Sequence, residues 1–329
     1  MRIGVFCSGG DAPGMNPCLR AVVRSAIAAG NEVVGIYRGY QGLIDENFYV
    51  NSQGETLMGL RTVSNLSKRG GTMLHSSRSE EFRTEAGQKK AAEVLRKNRI
   101  EALIPIGGDG TFHGAVALAR HWDGRIIGCP GTIDNDLLGT DYTIGFSTAV
   151  HTAVEALDKL RDTAESHERL FLVEVMGRHS GYIGLHTALA GGAEVVAIPE
   201  TETNVAQIVQ QLQVLKARGK KSIMVVVAEG DELGGVEVLN DQLKKAGCPF
   251  QTRLLTLGHL QRGGSPVPND RILASRLGEF AVQAIIEGET GAMAGEVNHE
   301  MILTRFQDTY ANHKPVPEEL IQLLRTLAS

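Results

Sequence analysis

The chain of 329 residues lacks the features that mark several large classes of protein. Its four cysteines (Cys7, Cys18, Cys129 and Cys248) are scattered and include no Cys-x-x-Cys pair, so we expect reduced, mostly buried thiols in a cytoplasmic protein. The net charge of −5 is small, which excludes a general attraction to nucleic acid. No apolar run approaches the roughly 18 residues of a membrane-spanning helix, and the first run is too short for a signal peptide.

What the sequence does contain is an alternation of short apolar runs with amphipathic stretches. Several runs show almost no polar alternation, which is typical of strands covered by helices on both faces. The predicted strands are residues 3–7, 32–37, 101–106, 125–128, 170–175, 195–198, 222–228 and 254–257. The predicted helices are residues 15–29, 84–98, 111–120, 147–165, 183–189, 205–217, 270–287 and 318–327. The pattern predicts an α/β fold with largely parallel sheets.

The length allows two domains of ordinary size. No repeat, low-complexity tract or long linker marks a boundary, and residues 140–148 are the predicted crossing between lobes. Glycines gather at three predicted strand ends, at Gly9, Gly10, Gly107, Gly108 and Gly177. Because ligands of open α/β sheets bind outside the carboxyl ends of the strands, these glycines predict the rim of a site.

Two acidic turns carry the clearest chemical signal. Asp134 and Asp136 follow an apolar run, two residues apart, so both carboxylates can point at one small volume. Upstream, Asp109 lies among glycines that let backbone N–H groups approach a polyanion, and its carboxylate suits a hard cation. A lone aspartate more often caps a helix or satisfies a turn. Two such turns together favour Mg²⁺-dependent phosphoryl transfer.

Three further polar turns follow predicted strands. Residues 8–16 join the first strand to the first helix through glycines, which is as typical of a tight turn as of a phosphate site. This turn lacks the Gly-Lys-Ser/Thr ending of a Walker A loop. Residues 176–181 and 259–266 each place an arginine, Arg178 or Arg262, beside glycines, which favours contact with an anion.

A dinucleotide-dependent oxidoreductase is the alternative from another class. Gly108, Gly110 and Gly114 form a Gly-x-Gly-x-x-x-Gly pattern close to a dinucleotide fingerprint. However, Asp109 between these glycines would repel a pyrophosphate unless a metal intervened. The next predicted strand runs into Pro130 without the acidic residue that would hold a ribose. Both features disfavour the oxidoreductase.

Taken together, the motifs resemble those of the bacterial-type ATP-dependent 6-phosphofructokinases. The resemblance covers residues 1 to about 290. It rests on SGGDAPGMN at 8–16, RGGT at 69–72, GGDGT at 107–111, PGTIDND at 130–136, GTDYTIGF at 139–146, VEVMGR at 173–178, AGGAE at 190–194 and GHLQRGGSPVPNDRILASR at 258–276. It implies two similar lobes, each a largely parallel sheet with helices on both faces. Residues 1–145 with about 260–305 would bind ATP, and residues 146–259 with about 306–329 would bind the sugar phosphate.

The resemblance also implies a glycolytic, Mg²⁺-requiring transfer of the γ-phosphoryl of ATP to the 1-hydroxyl of fructose 6-phosphate. The positions that match the catalytic set are Gly10, Thr132, Asp134, Asp136 and Arg178, with Asp134 as the general base. The positions that match the ATP site are Gly10, Tyr40, Arg78, Arg83, Gly108, Asp109, Gly110, Thr111 and Gly114. Those that match the sugar-phosphate site are Thr132, Asp134, Asp136, Arg169, Met176, Gly177, Arg178, Glu229, Arg253, His259 and Arg262. Asp109 and Asp136 match the carboxylates that arrange Mg²⁺.

Subunit assembly and regulation follow from the resemblance as well. Arg169 and Arg253 match arginines that reach the sugar-phosphate site from a neighbouring subunit, which implies a homo-oligomer, usually a tetramer. The positions that match a second site, for a nucleotide or phosphoenolpyruvate effector, are Arg20, Arg24, Arg61, Arg161, Glu194, Arg218 and Lys220. The effector's identity and sign stay open, because residues 45–63 are hard to align. A catalytically dead effector-binding subunit is disfavoured, because the catalytic positions are intact.

The phosphoryl donor depends on two glycines. Pyrophosphate-dependent relatives usually carry aspartate where this chain has Gly110 and lysine where it has Gly131. Glycine leaves room for the α-phosphate of a nucleotide, whereas aspartate would fill and charge that space. ATP is therefore the predicted donor, and a pyrophosphate-dependent or less specific sugar-phosphate kinase is the alternative within kinases.

Overall fold

The computed structural model describes residues 1–328, which form two compact α/β units. The first unit contains Met1–Ile133, Leu137–Ser147 and Arg262–His313. The second contains Asp134–Asp136, Thr148–Gln261 and residues 314–328. The strands are β1 (Arg2–Cys7), β2 (Glu32–Gly35), β3 (Ala102–Gly107), β4 (Arg125–Thr132), β5 (Ile144–Gly145), β6 (Leu170–Val175), β7 (Val195–Ala197), β8 (Ile223–Ala228), β9 (Thr252–Thr256), β10 (Ala292–Val297) and β11 (Glu300–Arg305). The helices are α1 (Met15–Ala28), α2 (Gly39–Ile44), α3 (Glu85–Lys97), α4 (Asp109–Leu118), α5 (Phe146–His167), α6 (Tyr182–Gly191), α7 (Val205–Ala217), α8 (Gly235–Lys245), α9 (Pro268–Glu287), α10 (Phe306–Thr309) and α11 (Glu318–Leu327).

The first unit is built on a sheet of strand order β11-β10-β4-β3-β1-β2, with β5 paired to the end of β4. All pairs are parallel except β10 with β11. Every residue of β3 is buried, as expected for a central strand covered on both faces. Phe6, Leu103 and Phe112 belong to a core shared with α2, α3, α4 and α10, while α1 and α9 pack together against the sheet.

The second unit is built on a parallel sheet of order β7-β8-β6-β9. The apolar run of β8 is buried at every position. Side chains of β6, β7 and β8 form a core with α7 and α8, and α6 packs against β7 and β8. β9 lies at the edge of the sheet, and Leu254 within it is exposed. The predicted α/β fold with mostly parallel sheets is confirmed.

Most predicted elements begin and end within a few residues of the observed ones, because local signals mark them. Thr84 and Asn204 cap α3 and α7 by accepting hydrogen bonds from the backbone N–H of Gly87 and Gln207. One predicted end is wrong: β4 does not stop at residue 128 but continues to Thr132. Its last residues pair with β3 and β5, which supply hydrogen bonds that the local pattern does not reveal.

The hairpin of β10 and β11 and helix α8 were not predicted. The hairpin turns at Asn298 and His299, whose φ angles of 51° and 68° are left-handed as a tight two-residue turn requires. Histidine takes the place of the glycine that usually signals this turn. α8 opens at Gly234-Gly235, which suggests a loop, but the Glu174 carboxylate accepts a hydrogen bond from Val236 N–H and so holds the start of the helix.

The bounds of the two units differ from the predicted lobes by more than two residues in two places. Residues 306–313 belong to the first unit, because Phe306 is buried in its core and stacks on Phe112 with ring centroids 5.1 Å apart. Asp134–Asp136 group with the second unit, to which they are joined by the Ser180 side chain.

The four cysteines are free thiols. Cys7, Cys18 and Cys129 are buried, and burial raises the pKa of Cys7 to about 12, so this thiol stays protonated at neutral pH. No helix within residues 1–328 is long and apolar enough to cross a bilayer.

Candidate active site

In the first unit, the carboxyl ends of β1 and β3 lie side by side and bring two glycine-rich turns together. Ser8 N–H donates to the Ile106 carbonyl (3.0 Å), and the Thr111 hydroxyl donates to the Ser8 carbonyl (3.2 Å). A side chain at Gly107 would collide with Thr111 and with the Ser8 carbonyl. The glycine is therefore required for this close approach of the turns after β1 and β3.

The turn after β3 leads directly into α4. Gly108 is the N-cap, Asp109 is the first helical residue, and Asp109 Oδ1 accepts a hydrogen bond from Gly110 N–H (2.6 Å). The space around Gly110 is open, because a Cβ built there meets no atom within 4 Å. An exposed helix N-terminus with a glycine at its second position suits a phosphate group.

Tyr40 supports this helix from within the core. Its hydroxyl donates to the Thr111 carbonyl (2.7 Å), and its ring stacks on Phe82 with centroids 4.1 Å apart. Gly114 is glycine because a Cβ would lie 2.5 Å from the Tyr40 ring. Tyr40 and Gly114 thus fit together as supports of α4. Contact of either residue with ATP stays a prediction.

Asn16, a buried residue that the sequence analysis did not single out, holds residues 69–73 in place. This segment precedes Arg78 and Arg83, the two arginines predicted to bind ATP. Asn16 donates from Nδ2 to the carbonyls of Arg69 (3.1 Å) and Gly70 (3.0 Å) and accepts from Met73 N–H (2.8 Å). Arg78 and Arg83 follow this segment and are exposed. Asn16 lies in the SGGDAPGMN motif, so the signal was present, but its three partners are more than 50 residues away in sequence.

Gly10, Arg262 and Thr132 complete the same edge of the first sheet. Arg262 Nη1 donates to the Asp11 carbonyl (2.9 Å), and a Cβ on Gly10 would lie 2.8 Å from that nitrogen. Thr132 ends β4, and its Cβ lies 3.5 Å from the position of a Cβ on Gly108. The first unit therefore gathers Gly10, Gly108, Asp109, Thr132 and Arg262 at one edge.

In the second unit, the turn Asp134–Asp136 is held by a neighbouring turn. The Ser180 hydroxyl donates to the Asp134 carbonyl (2.9 Å), and Arg178 Nε lies 3.6 Å from Asp134 Oδ2. The Asp134 side chain is 4% exposed and that of Arg178 is 43% exposed. A carboxylate is thus buried beside a cation that still faces solvent. The family resemblance places Arg178 and Asp134 in one catalytic set, but Ser180 was missed, because it lies 46 residues from Asp134 in the chain.

The turn that carries Arg178 has an unusual backbone. Gly177 has φ of 144°, where a side chain would strike the Ser180 carbonyl, and Arg178 itself is left-handed at 52°. Glu229 stabilises this conformation, because its Oε1 accepts hydrogen bonds from the N–H groups of Gly177 (3.3 Å) and Arg178 (2.9 Å). Met176 N–H donates to the buried Gln261 side chain (2.9 Å). The turn at the carboxyl end of β6 is therefore held rigidly.

Arg169 and Arg253 lie at the opposite end of the second sheet. Arg169 precedes β6, and Arg253 is the second residue of β9, where it pairs with Phe171. Met176 follows the other end of β6, about 23 Å away at ~3.3 Å per residue. These two arginines are thus separated from Met176, Gly177 and Glu229 within their own unit. His259 is exposed in the 3₁₀ turn after β9.

The predicted effector residues are divided between the units. In the second, Arg161 Nη2 donates to the carbonyls of Gly191 (2.6 Å) and Gly192 (2.9 Å), and Lys220 Nζ lies 2.5 Å from the buried Glu194 carboxylate. Arg218 is exposed nearby in sequence. In the first unit, Arg20 and Arg24 lie one turn apart on α1, and Arg61 is exposed. An effector at these residues stays a prediction.

The two carboxylates predicted to arrange Mg²⁺ lie in different units, Asp109 in the first and Asp136 in the second, and their contact with a metal stays a prediction. Among residues 1–328, no group of three or more His, Cys, Asp or Glu side chains is arranged to hold a metal. Asp109 and Asp136 are both partly exposed. Mg²⁺ usually takes one or two protein carboxylates, several waters and substrate phosphate oxygens.

Comparison with known proteins identifies the class to which this fold and these turns belong. Residues 2–285 match the phosphofructokinase family, and the chain belongs to that family. It is 52% identical, over 99% of both chains, to a Thermus thermophilus protein named ATP-dependent 6-phosphofructokinase 1.

Solved structures share the fold. A crystal structure of Pichia pastoris phosphofructokinase in the T-state has a TM-score of 0.85 and 34% identity; the match covers 94% of this chain but only 35% of the Pichia chain. A pyrophosphate-dependent phosphofructokinase from Marinobacter aquaeolei, at 22% identity, has a TM-score of 0.83 over 97% of this chain and 86% of its own. The fold is therefore similar in a protein named for a different phosphoryl donor, so the donor has to be argued from side chains.

Proposed function

We propose that this chain transfers the γ-phosphoryl group of ATP to the 1-hydroxyl of fructose 6-phosphate, which yields fructose 1,6-bisphosphate and ADP in glycolysis. The observation that carries the proposal is the buried Asp134 carboxylate, ion-paired with Arg178. A base and a cation in adjoining turns are what transfer of a phosphoryl group to an alcohol requires. The Thermus thermophilus relative, named for this reaction, supports the same activity.

Asp134 acts as the general base. A sugar hydroxyl is a poor nucleophile at neutral pH, and a positioned carboxylate that accepts its proton contributes about 10²–10⁴-fold to the rate. The new phosphorus–oxygen bond forms to the sugar while the bond to the ADP oxygen breaks. Arg178 stabilises the transferred group, because its guanidinium stays charged and binds two phosphate oxygens at once.

The glycine-rich edge of the first unit binds the ATP phosphates. Gly10, Gly108, Gly110 and Thr111 supply backbone donors and the N-terminus of α4. Thr132 contacts the moving phosphoryl group. The remaining proposed contacts are Tyr40, Arg78, Arg83 and Gly114. Asp109 and Asp136 would hold Mg²⁺, which supplies positive charge against the phosphate oxygens when bound.

The sugar phosphate is bound by Met176, Gly177, Glu229, His259 and Arg262. Glu229 has a second role, because the same carboxylate holds the backbone of Gly177 and Arg178. A substitution at Glu229 is therefore expected to affect both sugar binding and the position of Arg178.

Arg169 and Arg253 serve the site of a neighbouring subunit in a homo-oligomer, which we propose to be a tetramer in the cytoplasm. The support is their position: both lie at the amino ends of β6 and β9, whereas Met176 and Glu229 follow the carboxyl ends of β6 and β8. Side chains cannot span a strand of six residues, so these arginines do not reach the sugar-binding turn of their own unit.

Arg253→Ala is expected to raise the KM for fructose 6-phosphate at least about tenfold, because a charged phosphate contact is lost. Subunits carrying Arg253→Ala, co-expressed with differently tagged subunits carrying Arg262→Ala, are expected to regain normal KM at some sites, since each supplies the arginine that the other lacks. Steady-state kinetics of the purified hybrids measures this.

The control hybrid combines Arg253→Ala subunits with subunits that carry both substitutions, and it contains no complete site. Hybrids of the two single variants that perform no better than this control would contradict the assignment to a neighbouring subunit.

A nucleotide or phosphoenolpyruvate effector binds at the residues that match the family's second site. Whether it activates or inhibits the enzyme is left to measurement. The support in the second unit is that Lys220 pairs with the buried Glu194 and that Arg161 donates to the carbonyls of Gly191 and Gly192, which are close to Glu194 in sequence. Arg218 is exposed two residues before Lys220. The cationic residues Arg20, Arg24 and Arg61 are assigned to the same function from the first unit.

The choice of ATP over pyrophosphate is supported by two positions in the first unit. A side chain at Gly110 would project into open space beside Asp109, where a nucleotide's α-phosphate needs room. Gly131 is enclosed instead: its Cβ would lie 2.9 Å from Ile106 and 3.0 Å from Met15. The lysine usual in pyrophosphate-dependent relatives does not fit at that position without repacking.

A product assay tests the proposal. Fructose 6-phosphate and Mg²⁺ are supplied with either ATP or pyrophosphate, and fructose 1,6-bisphosphate is measured directly. We expect bisphosphate with ATP and at least about 10²-fold less with pyrophosphate, the size of effect that charge placement at a phosphoryl site commonly has. Bisphosphate from pyrophosphate alone would overturn the donor assignment, and no bisphosphate from either donor would overturn the activity.

A further inference from the structure

We infer that Lys314 is a positioning residue for the turn that carries Asp134 and Asp136, through which the C-terminal segment, residues 314–327, holds that turn in place. The inference rests on the proposed role of Asp134 as general base. It assigns a role to a part of the chain that lies beyond the family match at residues 2–285.

The contact that carries the inference joins residues far apart in the chain. Lys314 Nζ donates to Asn135 Oδ1 at 3.2 Å across a separation of 179 residues. Asn135 lies between the two aspartates, is fully buried, and has a left-handed φ of 52°. A left-handed residue at a functional turn keeps its conformation only when its surroundings hold it, and a charged donor on its side chain does so.

Lys314 is itself held in place by the second unit. Its ammonium lies over the Tyr182 ring, 5.0 Å from the centroid, and the Tyr182 hydroxyl donates to the Pro315 carbonyl (2.8 Å). Further along, Ile321 and Leu324 of α11 are buried where that helix packs on α6. The C-terminal segment is thus held at Lys314, at Pro315 and along α11.

Two contacts on the other side of the acidic turn come from the residues that lead into α6. Ser180 binds the Asp134 carbonyl and Arg178 pairs with the Asp134 carboxylate. Since α6 begins at Tyr182, the ring beneath Lys314 belongs to the same helix that these residues lead into. Lys314 therefore contacts the acidic turn at Asn135, while Arg178 and Ser180 contact it at Asp134. Both sets of contacts depend on the position of α6.

Lys314→Met tests the inference, because methionine keeps an apolar stem over Tyr182 but removes the charge and the donor. We expect kcat to fall about tenfold or more, and the KM values for ATP and fructose 6-phosphate to change less than about threefold, since a misplaced base affects chemistry more than binding. Lys314→Arg is expected to restore kcat to within about threefold of the parent, because a guanidinium keeps the donor and the ring contact.

Lys216→Met is the matched control. Lys216 also lies over an aromatic ring of the second unit, 5.4 Å from the Phe250 centroid, and also donates to an oxygen, but its partners are Phe250 and the Pro249 carbonyl and not the acidic turn. Its kcat is expected to equal that of the parent. Equal losses of kcat in Lys216→Met and Lys314→Met would mean that loss of any such lysine disturbs the fold, and would overturn the inference.

A double-mutant cycle with Asn135→Gly shows whether Lys314 acts through Asn135. Glycine accepts the left-handed backbone and removes only the side chain. In that background Lys314→Met is expected to cause less than about a twofold further loss of kcat, because the contact is already gone. Losses that multiply in full, or Lys314→Met with the parent's kcat, would overturn the inference.

Asp134→Asn separates this inference from the proposed function. An active Asp134→Asn enzyme refutes the base itself. An inactive Asp134→Asn enzyme, together with an unimpaired Lys314→Met enzyme, refutes only the positioning role. The thermal unfolding midpoint of each variant is measured first, and kinetics are then measured well below that temperature. The kcat values then compare folded enzymes only.

Discussion

Asp134→Asn is expected to lower turnover by at least about 10²-fold and to leave the KM values for ATP and fructose 6-phosphate within about threefold of the parent. The amide has the same shape as the carboxylate but cannot accept the proton of the sugar hydroxyl. Substrate binding depends on other groups, so the loss falls on kcat. Steady-state kinetics with direct measurement of bisphosphate gives both constants.

Asp134→Asn could also lower activity by destabilising the fold, so a control is needed. Asp134 forms a buried ion pair with Arg178, and its removal deprives the Arg178 charge of that carboxylate. Asp158→Asn makes the same chemical change at an exposed position of α5 and is expected to behave as the parent. Thermal unfolding shows how much of the Asp134→Asn effect is loss of folded enzyme. A folded variant with unchanged turnover would remove Asp134 from the mechanism.

Gly110→Asp is expected to lower kcat/KM for ATP by at least about 10²-fold. The new carboxylate enters the open space at the second residue of α4, beside Asp109, and opposes the negative charge of the α-phosphate. Loss of stability does not explain such a result, since an acidic residue in the first turn of a helix is favourable. Pyrophosphate use is not expected to appear, because Gly131 remains enclosed by Ile106 and Met15.

Gly110→Asn separates charge from volume, because asparagine fills the same space without the charge. We expect it to retain at least about ten times the kcat/KM of Gly110→Asp with ATP, in line with the weight of charge at phosphoryl sites. Equal losses in the two variants would show that bulk alone excludes the nucleotide. Full activity of Gly110→Asp with ATP would contradict the donor argument.

Local signals explain why much of the fold was predictable. The apolar runs of β3 and β8 are buried at every position, so no solvent-exposed polar residue interrupts their apolar pattern. Helices with side-chain caps, such as α3 and α7, begin within one residue of their predicted starts. The hairpin of β10 and β11 escaped prediction because β11, at the sheet edge, is half-exposed and carries a weak apolar pattern, and because the turn has histidine where glycine is usual.

The candidate site was predictable to the extent that its chemistry lies in contiguous motifs. Asp109 among glycines and Asp134 near Asp136 are recognisable from residue type and spacing alone. The partners of these residues were not recognisable in the same way. Asn16 acts on a segment 53 to 57 residues away, and Lys314 acts on a turn 179 residues away. Hydrogen bonds over such separations have no local signature, because they depend on which strands become neighbours.

By itself, the sequence determined the α/β class, the glycine-rich phosphate turns and the identity of the acidic groups, because each depends on residues adjacent in the chain. Only the tertiary structure decided that Arg178 lies beside Asp134, that Arg169 and Arg253 lie at the far end of their sheet from Met176, and that Lys314 reaches Asn135. The physical reason is that strand order and helix packing set these distances.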